Sequence, residues 1–271
     1  MLRKDINSLQ RIAKESRGFS PKFWVFDGIK KLIKYNTKLY HDGDLMEMLS
    51  SEILDILHIK HVNIELGFDN NQKRLQQINA ANQNCSIIDT YMIEEGDISF
   101  ELIKNLPKTS SNSTKKQIRN KLYGIKKTFQ DLPGNNSQTT TQMFKDYLEI
   151  ILGDCIIGNI DRTMKNIGII YNEKHRKYRL APSFDNALAF HSYTMKSQKP
   201  YVCIGNQYYS ADEVLKFIIN NYSENVEEVL NHIPDLEKDK DNILNKYINE
   251  IEPEKLDFIN DSLTTTIKKL K

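Results

Sequence analysis

The sequence predicts a two-lobed α+β fold, β-rich with one helix over residues 1–96 and mostly helical over residues 97–271. Three observations lead there. Strand-like patterns crowd the first 95 or so residues around a single amphipathic helix. After Glu94-Glu95-Gly96-Asp97 the apolar periodicity turns helical. A chain of 271 residues is long enough for two lobes of roughly 100 to 150 residues with a cleft between them.

Taken in order, FWVFDGIKKLIKY (23–35) reads as two short strands joined at Asp27-Gly28, a dipeptide that favours hairpins. In DLMEMLSSEILDILHI (44–59), Leu45, Met46, Leu49, Ile53 and Leu57 recur at helical spacing behind Asp44, the expected N-cap. HVNIELGF and CSIIDTYMI follow as strands, with polar QKRLQQINAANQN between them. Beyond Asp97, polar loops are expected at PKTSSNSTKK and DLPGNNSQTTTQ. The most apolar helix is predicted over 143–157, MFKDYLEIILGDCII, stopped by Gly158-Asn159. IGIIY and KYRLA then read as paired strands around a charged turn. The rest is predicted helical. Ser210 and Glu213 form a capping-box pattern before VLKFIINNY, and further helices cover ENVEEVLNHI, KDNILNKYINEI and PEKLDFINDSLTTTIKKL.

Composition narrows the function classes. The chain is 39% apolar and 27% charged, a folded rather than disordered balance. Its 38 Lys and Arg nearly cancel 36 Asp and Glu, so no overall basic field advertises nucleic acid, and direct nucleic-acid binding is not expected. Cys85, Cys155 and Cys203 lie far apart without CxxC spacing, which argues against a disulfide framework or a zinc site. His58 and His61 lack a further metal ligand nearby and read as surface histidines. The N-terminus has no apolar signal region, and no stretch approaches the roughly 18 to 20 apolar residues of a membrane span. A cytoplasmic location is therefore expected.

The chemistry is concentrated in NIDRTMKNIGIIYNEKHRKYRLAPSFDNA. Asp161-Arg-Thr-Met-Lys-Asn166 has the D-x-x-x-x-N spacing that in protein kinases supplies an Asp near the acceptor hydroxyl and an Asn metal ligand. Asp185, beyond the next predicted hairpin, takes the place of the second metal ligand. Capping or turn roles are the structural alternative for all three residues. On the predicted strand LIKY, period 2 puts Leu32 and Lys34 on one face, so Lys34 is expected at the nucleotide phosphates, with Glu47 of the following helix as its ion-pair partner. Lys30, Lys31 and Glu52 compete for these assignments.

GNIDRTMKNIGII followed by RLAPSFDNALAF resembles the C-terminal signature of the HipA-like serine/threonine kinases. The Trp-containing strand, LIKY, the helix with an early glutamate and CSIIDTYMIEEGD are also similar to compact members of that family. The resemblance implies a two-lobed protein-kinase-like fold, ATP and Mg²⁺ as cofactors, a protein substrate with a Ser or Thr acceptor, and a neutralising antitoxin-like partner. It implies Asp161 as the catalytic residue and Asn166 and Asp185 as metal ligands. Lys34, Glu47, Gly18 of the phosphate-covering segment, and Tyr91 and Ile93 near the adenine would bind nucleotide. Ser16 or Ser20 would be autophosphorylated. The family usually has His two residues after the catalytic Asp, where this chain has Thr163; Lys165 is the residue that could supply charge instead. A lipid or small-molecule kinase and a non-catalytic ATP-binding pseudokinase remain the alternatives.

Overall fold

The computed structural model describes residues 1–15, 22–37, 41–71, 83–89, 97–99, 113–190 and 200–271. The expected hairpin forms at Gly28, whose φ of +72° suits a residue without a Cβ. It joins β3 (Lys22–Asp27) to β4 (Ile29–Tyr35) in an antiparallel pair. With β1 (Lys4–Asp5), β2 (Gln10–Glu15), β5 (Ile64–Phe68) and β6 (Asn84–Asp89), these strands form a six-stranded sheet of order β1-β5-β6-β4-β3-β2. Only the β1–β5 pairing within it is parallel.

Strand alternation then sorts the side chains. Phe23, Val25, Ile33, Tyr35, Cys85 and Ile87, together with Ile6, make a small core on one face. On the other face Lys34 lies opposite both Lys22 and Ser86, and Ser86 lies opposite Leu66. Leu66 packs into the large core beside Leu45, Met46 and Leu49 of α1 (Gly43–Ile56). The helix therefore covers the sheet face that carries Lys34.

Asp44 is not the N-cap of α1. It lies in the first turn, 1% exposed, where it accepts from Arg3 at 2.5 Å and from the Asn36 amide at 2.6 Å. His61 is buried rather than on the surface, with Nδ1 2.9 Å from the Ile59 carbonyl.

The large core is organised around α3 (Ser137–Ile157), in which every residue from Asp146 to Ile157 is buried. It starts six residues before the predicted apolar segment, inside the expected loop. The Asn136 side chain accepts from the Thr139 amide at 2.8 Å, and a good cap lets polar, exposed residues begin a helix. Around it lie α2 (Thr114–Gln130), α4 (Ala211–Tyr222), α5 (Glu227–Asn231), α6 (Ile233–Asn245) and α7 (Pro253–Leu270). Among the described residues no helix is long and apolar enough to cross a membrane.

β8 (Ile169–Asn172) and β9 (Lys177–Leu180) pair as predicted, and β7 (Asp97–Ser99) adds to β8 where helical texture was expected to begin. A second departure is the hairpin of β10 (Tyr201–Ile204) and β11 (Gln207–Ser210), in a stretch read as helical. Gly205 and Asn206 at its turn have φ of +56° and +63°, the type I′ geometry that matches strand twist. Ser210 does precede α4, but its side chain makes no capping bond.

Cys85, Cys155 and Cys203 are free and buried. Burial raises the Cys155 thiol and pushes Cys203 up to about 12, and the thiolate is the reactive form. The native protein is expected to leave all three thiols unmodified by an aromatic disulfide reagent at pH 8 on the minutes timescale. Unfolding in guanidinium should release three. A native thiol that reacts at once would mean that β6, α3 or β10 is not seated as described.

Candidate active site

The loop after α3 begins with a left-handed residue, Gly158 at φ +60°. This turn brings Asn159 back under the helix end, fully buried. Its amide side chain donates to Asp154 at 2.9 Å and to Asn186 at 3.2 Å, while its Oδ1 accepts from the Asp161 backbone N–H at 3.1 Å. Asn166, closing the short 3₁₀ turn Met164–Asn166, donates from Nδ2 to the Asp161 carbonyl at 2.7 Å and to Asp161 Oδ2 at 3.0 Å. The side-chain Oδ1 of Asn166 is thereby left as an acceptor.

Arg162, 1% exposed, sits beneath this loop. Nε and Nη2 grip the two Asp154 oxygens at 2.9 and 3.0 Å. Nη1 donates to the carbonyls of Asn166 at 3.1 Å and Phe184 at 2.8 Å. Nη2 also donates to Ser183 Oγ and Asn186 Oδ1, both at 2.7 Å. Desolvation works against the guanidinium charge, but the Asp154 carboxylate outweighs it and holds the pKa above the ordinary arginine value. One side chain thus ties α3 and the Asp161 loop to the segment that carries Asp185.

That segment is fixed from its other side as well. The Ser183 backbone donates to the Lys60 carbonyl at 2.8 Å and accepts from the Val62 amide at 2.9 Å. Asp185 itself has φ +59°, a left-handed conformation uncommon for residues other than Gly, though Asp tolerates it better than most. Its carboxylate lies 2.5 Å from Lys34 Nζ, which also lies 2.5 Å from Glu47 Oε1.

Electrostatics follow from these contacts. Burial disfavours the Lys34 ammonium, yet Asp185 and Glu47 overcome that and raise its pKa. Burial likewise disfavours the Asp185 carboxylate, but Lys34, with Lys22 and Arg162, draws it below the usual aspartate range. Asp161 goes the other way. Desolvation first and the nearby Asp185 charge second raise it, only partly offset by the Asn166 hydrogen bond, Arg162 and Lys34.

The structure therefore gathers Lys34, Glu47, Asp161, Asn166 and Asp185. It takes the competing residues elsewhere: Lys30 lies over the Trp24 ring at 4.3 Å, Lys31 pairs with Glu65 at 3.5 Å, and Glu52 pairs with Lys246 at 2.8 Å. Lys165 is exposed on the 3₁₀ turn. Gly18, Tyr91, Ile93, Ser16 and Ser20 lie outside the described residues, as does the Gly96 boundary.

Sequence reasoning missed Arg162, Asp154, Asn159, Ser183, Asn186 and Lys22. Lys22, directly across from Lys34 in the β3–β4 register, adds its charge at Asp185. Asp154 carried a readable signal, because an acidic residue alone in the apolar run from Ile150 to Ile157 needs a buried partner.

No protein-family model matches the chain, and no curated protein does. Solved structures do. The Helicobacter pylori proinflammatory kinase CtkA superposes with a TM-score of 0.69 at 14% identity, covering 99% of this chain and 95% of that one. HipA, from the Shewanella oneidensis toxin-antitoxin complex of HipA, HipB and operator DNA, superposes with a TM-score of 0.57 at 11% identity, covering 96% of this chain and 65% of that one. The fold is HipA-like. In this HipA-like fold Arg162 is the side chain that holds the site's separate segments in register.

Breaking a buried ion pair by removing one partner typically costs about 3 to 5 kcal/mol. Arg162→Met is expected to lower the unfolding free energy by about that much, read from the urea midpoint. Arg162→Lys should rescue little, because an ammonium cannot reach the separate acceptors that the guanidinium fork spans. A loss under about 1 kcal/mol for Arg162→Met would contradict the central role given to this side chain.

Proposed function

We propose that the chain is a HipA-like ATP-dependent kinase that transfers the γ-phosphoryl group of Mg-ATP to a serine or threonine hydroxyl. The observation that carries the reading is the convergence of Lys34, paired with Glu47 and Asp185, on the Asp161–Asn166 loop. The HipA-like fold, shared with a kinase, supports it.

The donor set fits magnesium. Asp185 and Asn166 offer hard oxygen ligands, and among the described residues no larger carboxylate or His/Cys cage exists. Mg²⁺ is usually held by one or two protein groups together with phosphates and water. Asn166 and Asp185 would hold it, and when bound it offsets the charge that builds on the phosphates.

Lys34 would position the nucleotide through charge-assisted hydrogen bonds, with Glu47 fixing its rotamer. Asp161 would orient the acceptor hydroxyl and take its proton as the oxygen forms its bond to the γ-phosphorus and the bond to the departing ADP oxygen breaks. A carboxylate raised above the ordinary aspartate range is a better base than a free one. Lys165, on the loop surface, would lie toward the γ-phosphate side. Residues 1–96 and 97–271 would act as the two lobes around this site, with Gly18 over the phosphates and Tyr91 and Ile93 at the adenine. Autophosphorylation at Ser16 or Ser20, a neutralising antitoxin-like partner and a cytoplasmic setting belong to the same reading. Support for the partner comes from HipA having been solved with HipB.

Mg-ATP at roughly a hundredfold excess over its Kd should raise the melting temperature by about 5 °C or more, since a ligand that binds only the folded state stabilises it by mass action. Lys34→Ala and Asp185→Asn should remove most of that shift, whereas Lys30→Ala should keep it. No shift with millimolar Mg-ATP would overturn the ATP reading, and equal loss in Lys30→Ala would mean that Lys34 has no special place.

A further inference from the structure

The near-neutral charge of the chain conceals a separation. Helix α2, TKKQIRNKLYGIKKTFQ, carries six basic residues and no acidic one, leaving 32 basic against 36 acidic side chains elsewhere. Lys121 is turned inward, its ammonium 3.4 Å from the Gly205 carbonyl. The other five, Lys115, Lys116, Arg119, Lys126 and Lys127, are exposed. At 100° per residue they share one outward arc, with Tyr123 inside it. Tyr123 is 67% exposed, the most exposed large aromatic ring among the described residues.

At its N-terminal end this arrangement runs against the helix's own stability. Lys115 and Lys116 stand in the first turn, where the helix dipole disfavours cations. Lys115 and Arg119 repel each other at i, i+4 spacing. Among the described residues none of the five forms an ion pair; Lys126 rests over the Phe144 ring at 5.3 Å. The N-terminal cations, which have no such compensation, point to a ligand that supplies it.

Charge and an aromatic ring together select the ligand. From Lys115 to Lys127 the helix rises about 18 Å, and its five cations stand in two groups on either side of Tyr123, a basic track long enough to meet several successive phosphates of one strand. The exposed ring between Arg119 and Lys127 offers a surface on which an unpaired base can stack, which a duplex does not present. We propose that the outer face of α2 binds single-stranded nucleic acid, through phosphate contacts from the five cations and base stacking on Tyr123. This surface is independent of the kinase reading.

The test is fluorescence anisotropy with the full chain and labelled 20-nucleotide single strands of RNA and of DNA, against a duplex and poly-glutamate of matched length. Both single strands should bind at 50 mM salt, more tightly than the duplex or poly-glutamate. Affinity should fall roughly 100-fold by 200 mM, as counterion release from five phosphate contacts predicts. Tyr123→Ala should weaken binding about tenfold. Lys116→Glu/Arg119→Glu/Lys127→Glu should abolish it while keeping the wild-type circular dichroism spectrum and the free cysteine count unchanged. Absence of binding at 50 mM salt, equal or tighter binding of duplex or poly-glutamate, or wild-type affinity in the folded triple variant would each overturn the proposal. Should the triple variant fail to fold, Lys116→Gln/Lys127→Gln carries the same expectation at reduced amplitude, and unchanged affinity there overturns it.

Discussion

A guanidinium held away from water beneath Asp161 is the constraint on which the candidate site depends. Arg162 has no exposed side to satisfy it, so each of its N–H groups must find a protein acceptor or leave a costly unpaired charge. The acceptors it finds belong to three separate stretches: Asp154 at the end of α3, the Asn166 carbonyl in the loop, and Phe184, Ser183 and Asn186 around Asp185. Satisfying one buried cation therefore fixes the relative positions of Asp161, Asn166 and Asp185. Replacing both members of the buried Arg162–Asp154 pair by well-packed apolar residues would stabilise the core as well or better, but it could not impose that register.

The second constraint is the ammonium of Lys34 between two carboxylates. It reaches the loop from the sheet because β4 alternates, sending Ile33 and Tyr35 into the small core and Lys34 to the opposite face. Helix α1 covers that same face and brings Glu47 beside it. The site is thus assembled from one side by strand alternation and from the other by a buried hydrogen-bond network.

What the sequence revealed follows the range of the forces involved. Local patterns were legible: the Asp27-Gly28 hairpin, the apolar centre of α3 with its Gly158 stop, the β8–β9 pair, and the spacing from Asp161 to Asn166. Features set by distant partners were not. Asp44 reads as a cap by its position, but Arg3 and Asn36 draw it into the protein. The β10–β11 hairpin was hidden because Val202, Cys203 and Ile204 are all buried, and a continuous apolar run does not distinguish strand from helix; Gly205-Asn206 was the turn signal to weigh. Arg162 next to Asp161 carries no local sign of its burial, since nothing within the loop reveals that Asn186, far along the chain, completes its coordination.

The central claim is that these converging side chains perform phosphoryl transfer rather than hold a fold. It is tested most directly by incubating the purified chain with γ-labelled ATP and Mg²⁺ and following label into serine or threonine of the protein itself or of a soluble extract, beside Asp161→Asn. The account predicts transfer by the wild type and a loss of roughly 10²- to 10⁴-fold in the variant, with folding and nucleotide binding kept. Transfer unchanged in Asp161→Asn, or none by the wild type to any acceptor, would contradict it.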